Sequence, residues 1–237
     1  MSNGLHKAAI AMTGLEQRLT TISENLANVS SPGFKRARFL GDGFQAELGK
    51  QAAPSAQKST RGLNVDFSQG ELVRTTEPND LALFGEGFFV LEGPDGEMLT
   101  RNGSFSVNDQ GVLVNNEGFP VAWEERPASI TPVGEAPLEV NSQGEVYQGK
   151  NLLGRLRIAD FEDKQMLTPS KEGYLEAPRG AKEIPSLAVV HQGTLEASNA
   201  VGIKEMVGMI EVQRSFEQMA RLVSSINDSY DRLTRSF

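Results

Sequence analysis

Asp95, Asp109, Asp160, Glu162 and Asp163 are the residues whose type and spacing invite a reaction, since paired carboxylates can cleave a glycosidic bond. That chemistry needs two carboxyls held about 5–9.5 Å apart in a cleft, with aromatic rings to carry a sugar. Asp95 and Asp109 fall at turn positions, where Asp caps its own backbone, and Asp160 to Asp163 form a polar run after Leu156-Arg157-Ile158. Turn and solvated-surface roles are therefore expected for all five. Trp123 is the only tryptophan and reads as a core or edge-strand residue. His6 and His191 have no partner at metal-ligand spacing, and Asn108-Asp-Gln-Gly lacks the alternating carboxylates and terminal glutamate of a calcium loop. No catalytic residue, metal ligand or cofactor site is assigned. Lys35, Arg36 and Arg38 form a short basic cluster, expected to be a solvated helix end.

Composition narrows the classes further. The 237 residues contain no cysteine, which removes thiol nucleophiles and disulfides, and two histidines leave little for zinc or copper. A net charge of −8 opposes nucleic-acid binding by phosphate neutralisation. No apolar run approaches the ~20 residues of a membrane-spanning helix. The start, Met1-Ser2-Asn3-Gly4-Leu5-His6-Lys7, leads into an amphipathic segment rather than the apolar core of a cleaved signal peptide, so any route out of the cytoplasm would be a different one.

The elements that must position these residues divide by proline and charge. All eleven prolines lie between Pro32 and Pro185, which leaves both ends free to form long helices. Residues 75–190 carry 9 basic and 19 acidic side chains, so an acidic middle separates nearly neutral ends. From Gly4 to Val29, Leu5, Met12, Leu19 and Leu26 alternate with Ala8, Leu15, Ile22 and Val29 in a heptad, and Pro32-Gly33 stops the helix. Near the C-terminus Met209, Phe216, Val223 and Tyr230 alternate with Val212, Met219, Ile226 and Leu233. A helix from about Asn199 to Arg235 follows, with Ser198 or Asn199 as N-cap. These two stripes are the candidate assembly interface: each must be buried, by pairing of the two ends and by partner chains.

The middle reads as β. Phe88-Phe89-Val90-Leu91 precedes the turn Gly93-Pro94-Asp95-Gly96, and Phe105-Ser106-Val107 precedes Asn108-Asp109-Gln110-Gly111. Val107-Asn-Asp-Gln-Gly111 is echoed by Val140-Asn-Ser-Gln-Gly144. The expected fold is thus α+β: long N- and C-terminal helices paired as a coiled-coil-like domain (1–40 and 195–237), a linker or extended arm (41–74) and a β-rich outer domain (75–194).

Three ordered segments resemble the flagellar rod and hook protein family. Asn25-Leu26-Ala27-Asn28-Val29-Ser30-Ser31-Pro32-Gly33-Phe34-Lys35-Arg36 is similar to its N-terminal motif. Asn79 to Val90, with Gly85, Gly87, Phe88 and Phe89, followed by Leu99-Thr100-Arg101-Asn102-Gly103, resembles its entry into the β domain. Leu195, Glu196, Ser198 and Asn199, followed by Glu205-Met206-Val207-Gly208, resemble its C-terminal signature. Ala200 departs from it, standing where a β-branched residue is usual, and Lys171 to Leu175 match loosely. Within that family, the resemblance implies that one middle domain in 237 residues suits the proximal or distal rod branch, and the compact segment 50–75 favours the proximal over the distal or a related hook-basal-body paralogue.

The resemblance implies a non-enzymatic subunit of the bacterial flagellar basal body. Its partners would be copies of itself, other rod proteins and the flagellar type III export apparatus, with no nucleic acid or small-molecule substrate. Its place would be the periplasmic rod, reached without a cleaved signal peptide. A different class, a secreted β-domain carbohydrate-active enzyme or a binding module on a helical stalk, is the alternative reading.

Overall fold

The computed structural model describes residues 2–40, 62–125, 137–170 and 173–235, with backbone alone at 2–7, 125 and 226–235. Residues 41–61 of the expected arm, and the side chains of Leu5, His6, Ile226, Tyr230 and Leu233, lie outside the described residues. The fold is α+β, with two α-helices and many short strands among the described residues. It divides into two units, one of residues 1–29, 37–65 and 200–237, the other of 30–36 and 66–199.

In the first unit, α1 spans Ser2–Ala27 and α2 spans Gly202–Arg235. The N-terminal helix is thus shorter than its heptad, which ran to Val29, because the chain has already left the helix before Pro32 reaches it. Helix α2 begins later than expected. Its first bond is from the Glu205 N–H to the Val201 carbonyl, so Val201, which has no capping oxygen, occupies the cap. At about 1.5 Å per residue α2 is roughly 51 Å long. Its first turns lie antiparallel against the end of α1. A Cβ on Gly208 would meet Ile22 at 3.4 Å and one on Gly202 would meet Val29 at 3.5 Å, and Asn25 Nδ2 donates to Glu205 Oε2 at 3.3 Å. Strands Ala37–Phe39 and Leu63–Val65 pair antiparallel beside them.

The second unit is built around strand Phe88–Gly93. It pairs with Gly96–Thr100 through a two-residue Pro94-Asp95 loop, Gly93 opposite Gly96, and with Ile158–Phe161 on its other side. The resulting six-stranded sheet is antiparallel and ends in short strands that carry Pro169 and Pro185, residues that blunt an edge because proline cannot donate to a further strand. Alternation explains the unbroken apolar run: Phe89 and Leu91 enter one core with Leu83, Phe105, Leu156 and Val190, while Phe88 and Val90 enter another with Leu99, Phe161 and Leu175. All four residues are at most 1% exposed.

The echoed Asn-x-x-Gly segments have one geometry. Asn108 Oδ1 accepts from the Gln110 and Val112 N–H groups, and Asn141 Oδ1 accepts from Gln143 and Glu145. Asn115-Asn116-Glu117-Gly118 is a third copy, its Oδ1 accepting from Glu117 and Phe119. In each, glycine takes a left-handed φ (+71°, +80° and +89°) that closes the loop. Asp109 therefore sits at a loop tip.

Candidate functional site: a buried ionic junction and a helix pair

Glu196, on strand Thr194–Glu196, is fully buried. Its carboxylate accepts from Lys35 Nζ at 2.6 Å, Arg101 Nη1 at 3.2 Å and the Gly70 N–H at 2.8 Å. Lys35 also donates to the Ser68 carbonyl, and Arg101 Nη2 to the Gly85 carbonyl at 2.7 Å, with its guanidinium 5.3 Å from the centre of the Phe88 ring. Loss of hydration pushes the pKa of both Lys35 and Arg101 down, and Glu196 opposes that push at each. Lys35 is buried, which corrects its reading as a solvated helix end. The error has a physical source: its counter-ion is 161 residues away in sequence.

Backbone contacts fix the same junction. The Gly33 N–H donates to the Glu196 carbonyl at 2.7 Å, and Gly33 has φ +69° with the Arg101 carbonyl carbon only 2.2 Å from where a Cβ would stand. Only glycine fits there. Asn199 caps nothing at α2. Its Oδ1 accepts from the Arg36 N–H at 2.7 Å and its Nδ2 donates to the Asp66 and Ser68 carbonyls, while its own N–H donates to the Phe34 carbonyl. Gly33, Phe34, Gly85, Phe88, Glu196 and Asn199, drawn from three separate motifs, thus meet at one junction. Phe89 instead fills the core, Gly87 packs its backbone against Ser186, and Leu195 pairs with Val73. Gly70 and Ser68 were missed, and nothing in their local sequence distinguishes them from ordinary loop residues.

The helical unit has its own buried polar pair. Asn25 is 1% exposed, with Oδ1 accepting from the Ala37 N–H and Nδ2 donating to the Ala37 carbonyl and to buried Glu205. Asn28 bonds within α1, to the Glu24 carbonyl. Of the expected stripe residues, Ile22 and Val212 are buried, and Met12, Leu15, Leu19, Leu26, Met209, Phe216, Met219 and Val223 are half-buried. Ile203, Met206, Val207 and Ile210, outside that stripe, are each more than half exposed.

The carboxylates are engaged elsewhere. Asp160 is buried, against expectation, accepting from the Phe161 N–H and pairing with Lys164 at 3.0 Å. Asp163 caps a 3-10 turn and Glu162 pairs with Lys182. An open cleft of about 590 Å³ borders Asp95, Glu97, Phe161 and Glu183, and Arg157 ties Glu97 to Glu183 across it. Among the described residues no group of three or more His, Asp or Glu could hold a metal ion, and no helix is long and apolar enough to cross a membrane. Trp123 packs against the first core, and exposed His191 lies edge-on to Phe84.

The distinctive residues of this α+β chain join its segments to one another, and comparison with known proteins places it among structural subunits. Residues 82–148 match the flagellar hook protein FlgE/F/G D1 domain, and residues 191–236 match the flagellar basal body rod FlgEFG protein C-terminal family. The whole chain is 31% identical to the flagellar basal-body rod protein FlgF of Caulobacter vibrioides, covering 96% of it. Over 95% of the chain it is 32% identical to the flagellar basal-body rod protein FlgG of Buchnera aphidicola subsp. Acyrthosiphon pisum, covering 97% of that protein. The chain belongs to the flagellar basal-body rod protein family.

Proposed function

We propose that this chain is a structural subunit of the bacterial flagellar basal-body rod and polymerises helically through its terminal helices. The observation that carries the reading is the full-length match to rod proteins. The helical unit supplies the means. The contacts of Gly202, Glu205 and Gly208 with Val29, Asn25 and Ile22 set an antiparallel register in which paired residue numbers sum to 230 or 231. Extended along both helices, as a coiled coil would extend it, this register sets Leu19 opposite Val212, Leu15 opposite Phe216 and Met12 opposite Met219. The two expected stripes then serve first to close the chain on itself. Apolar side chains at 203, 206, 207 and 210, following i, i+3, i+4, i+7, form a second stripe for neighbouring subunits. The unit of residues 1–29, 37–65 and 200–237 acts as the assembly domain, and the unit of 30–36 and 66–199 as the outer one.

Partners are copies of the chain and other rod proteins, met in the periplasm after delivery by the flagellar export apparatus. The proximal branch fits better than the distal. Alignment to FlgF takes in the whole chain over 242 positions, whereas alignment to FlgG needs 255 positions for 95% of it, so the FlgG relative has residues with no counterpart here. Deleting the gene in its own flagellated host and imaging basal bodies tests the function. Rods should stop short and the cells should not swim; complete rods in the deletion strain would refute it.

A further inference from the structure

Lys35 and Arg101 come from the N-terminal motif and the end of the first hairpin, and both are about 95% buried. One carboxylate, Glu196, touches both cations, and it lies 95 residues beyond Arg101 in sequence. Asp66 also favours the charged form of Lys35, and Asp160 and Glu86 that of Arg101, but each less strongly than Glu196. Arg101 has no slack to compensate: its Nε is buried without an acceptor among the described residues, and its two Nη atoms are committed to Glu196, Leu83 and Gly85. Two cations sealed from water without their counter-ion are strongly disfavoured.

We propose that Glu196 is a folding latch: the second unit cannot close around Lys35 and Arg101 until the strand that carries Glu196 is in place. The same strand delivers the Glu196 carbonyl to Gly33, and the Ala197 N–H to the Glu71 carbonyl. Charge neutralisation and chain closure are therefore one event. A chain that emerges N-terminus first holds both cations, and most of the apolar core, before it holds the latch. It stays open until nearly all of the unit is available, which keeps a partly emerged chain from locking prematurely.

The test uses the full chain. Glu196→Gln keeps the shape of the side chain and removes its charge, and should lower the folding equilibrium constant of the second unit at least ~100-fold. Lys35→Met added to Glu196→Gln should recover at least ~10-fold of that loss, because one stranded cation is then gone. Losses that merely multiply, or a double variant less stable than Glu196→Gln, would overturn the charge argument. If Glu196→Gln does not fold, the double variant should regain a cooperative unfolding transition, and its failure to do so overturns the proposal equally. Pulse hydrogen exchange during refolding of the unaltered chain reads the order: amides of 88–100 should gain protection no earlier than those of 194–196. Earlier protection of that hairpin would show that closure does not wait for Glu196.

Discussion

The two units bury their apolar residues to different depths. In the β unit, Leu81, Leu83, Phe88, Phe89, Val90 and Leu91 are all at most 1% exposed, and buried Lys35 and Arg101 pair with Glu196 inside the unit. In the helical unit the stripe is mostly half-buried, while Ile10, Ile203, Met206, Val207, Ile210 and Leu222 are each more than half exposed. The β unit completes its core within one chain. A helix pair covers one seam and encloses nothing, so the remaining apolar surface is where the proposed assembly would meet its neighbours.

The largest effect should come from Phe89→Ala, which empties the centre of a finished core and should cost about 3–5 kcal/mol in denaturant unfolding. Met209→Ala, at a half-buried seam position, should cost clearly less; equal losses would erase the contrast between the units. Next is Gly33→Ala. It adds left-handed strain of about 1–2 kcal/mol and also forces the Arg101 backbone aside, whereas Gly96→Ala has φ +141° but open space around it and bears strain alone. Thermal unfolding should separate the two, and similar midpoints would mean that the Gly33 junction can yield. Smaller again is Asn25→Ala. It leaves the Ala37 N–H and carbonyl without their partner, for about 1–3 kcal/mol, and exchange should quicken at residues 37–39 while 88–100 stay protected.

What could be read from the sequence follows the range of the forces involved. Helical stripes, the strand 88–91 and the Asn-x-x-Gly loops depend on residues a few positions apart, and their periodicity and turn chemistry were legible. The loop at Asn115 was legible as a turn but not as a third copy, because Glu117 stands where the other two have glutamine. The ionic junction joins positions 33–36, 66–70, 85–101 and 196–199, so its parts looked like separate motifs and Lys35 looked like a surface charge. Asp160 was misplaced for a related reason, since its polar neighbours Glu162 and Asp163 are exposed while it points inward to Lys164. The stripe at 203–210 was overlooked because the heptad at 209–233 is longer and more regular.

The central claim is that assembly runs through the apolar face of α2 that one chain leaves open. Met206→Asp combined with Ile210→Asp tests it most directly, because both side chains are about half exposed and their loss should leave the folded chain intact. The purified double variant should unfold at the same temperature as the unaltered protein, be exported at the same level, and yet give cells without complete rods and without motility. Complete rods and normal swimming in cells making that variant would contradict the account.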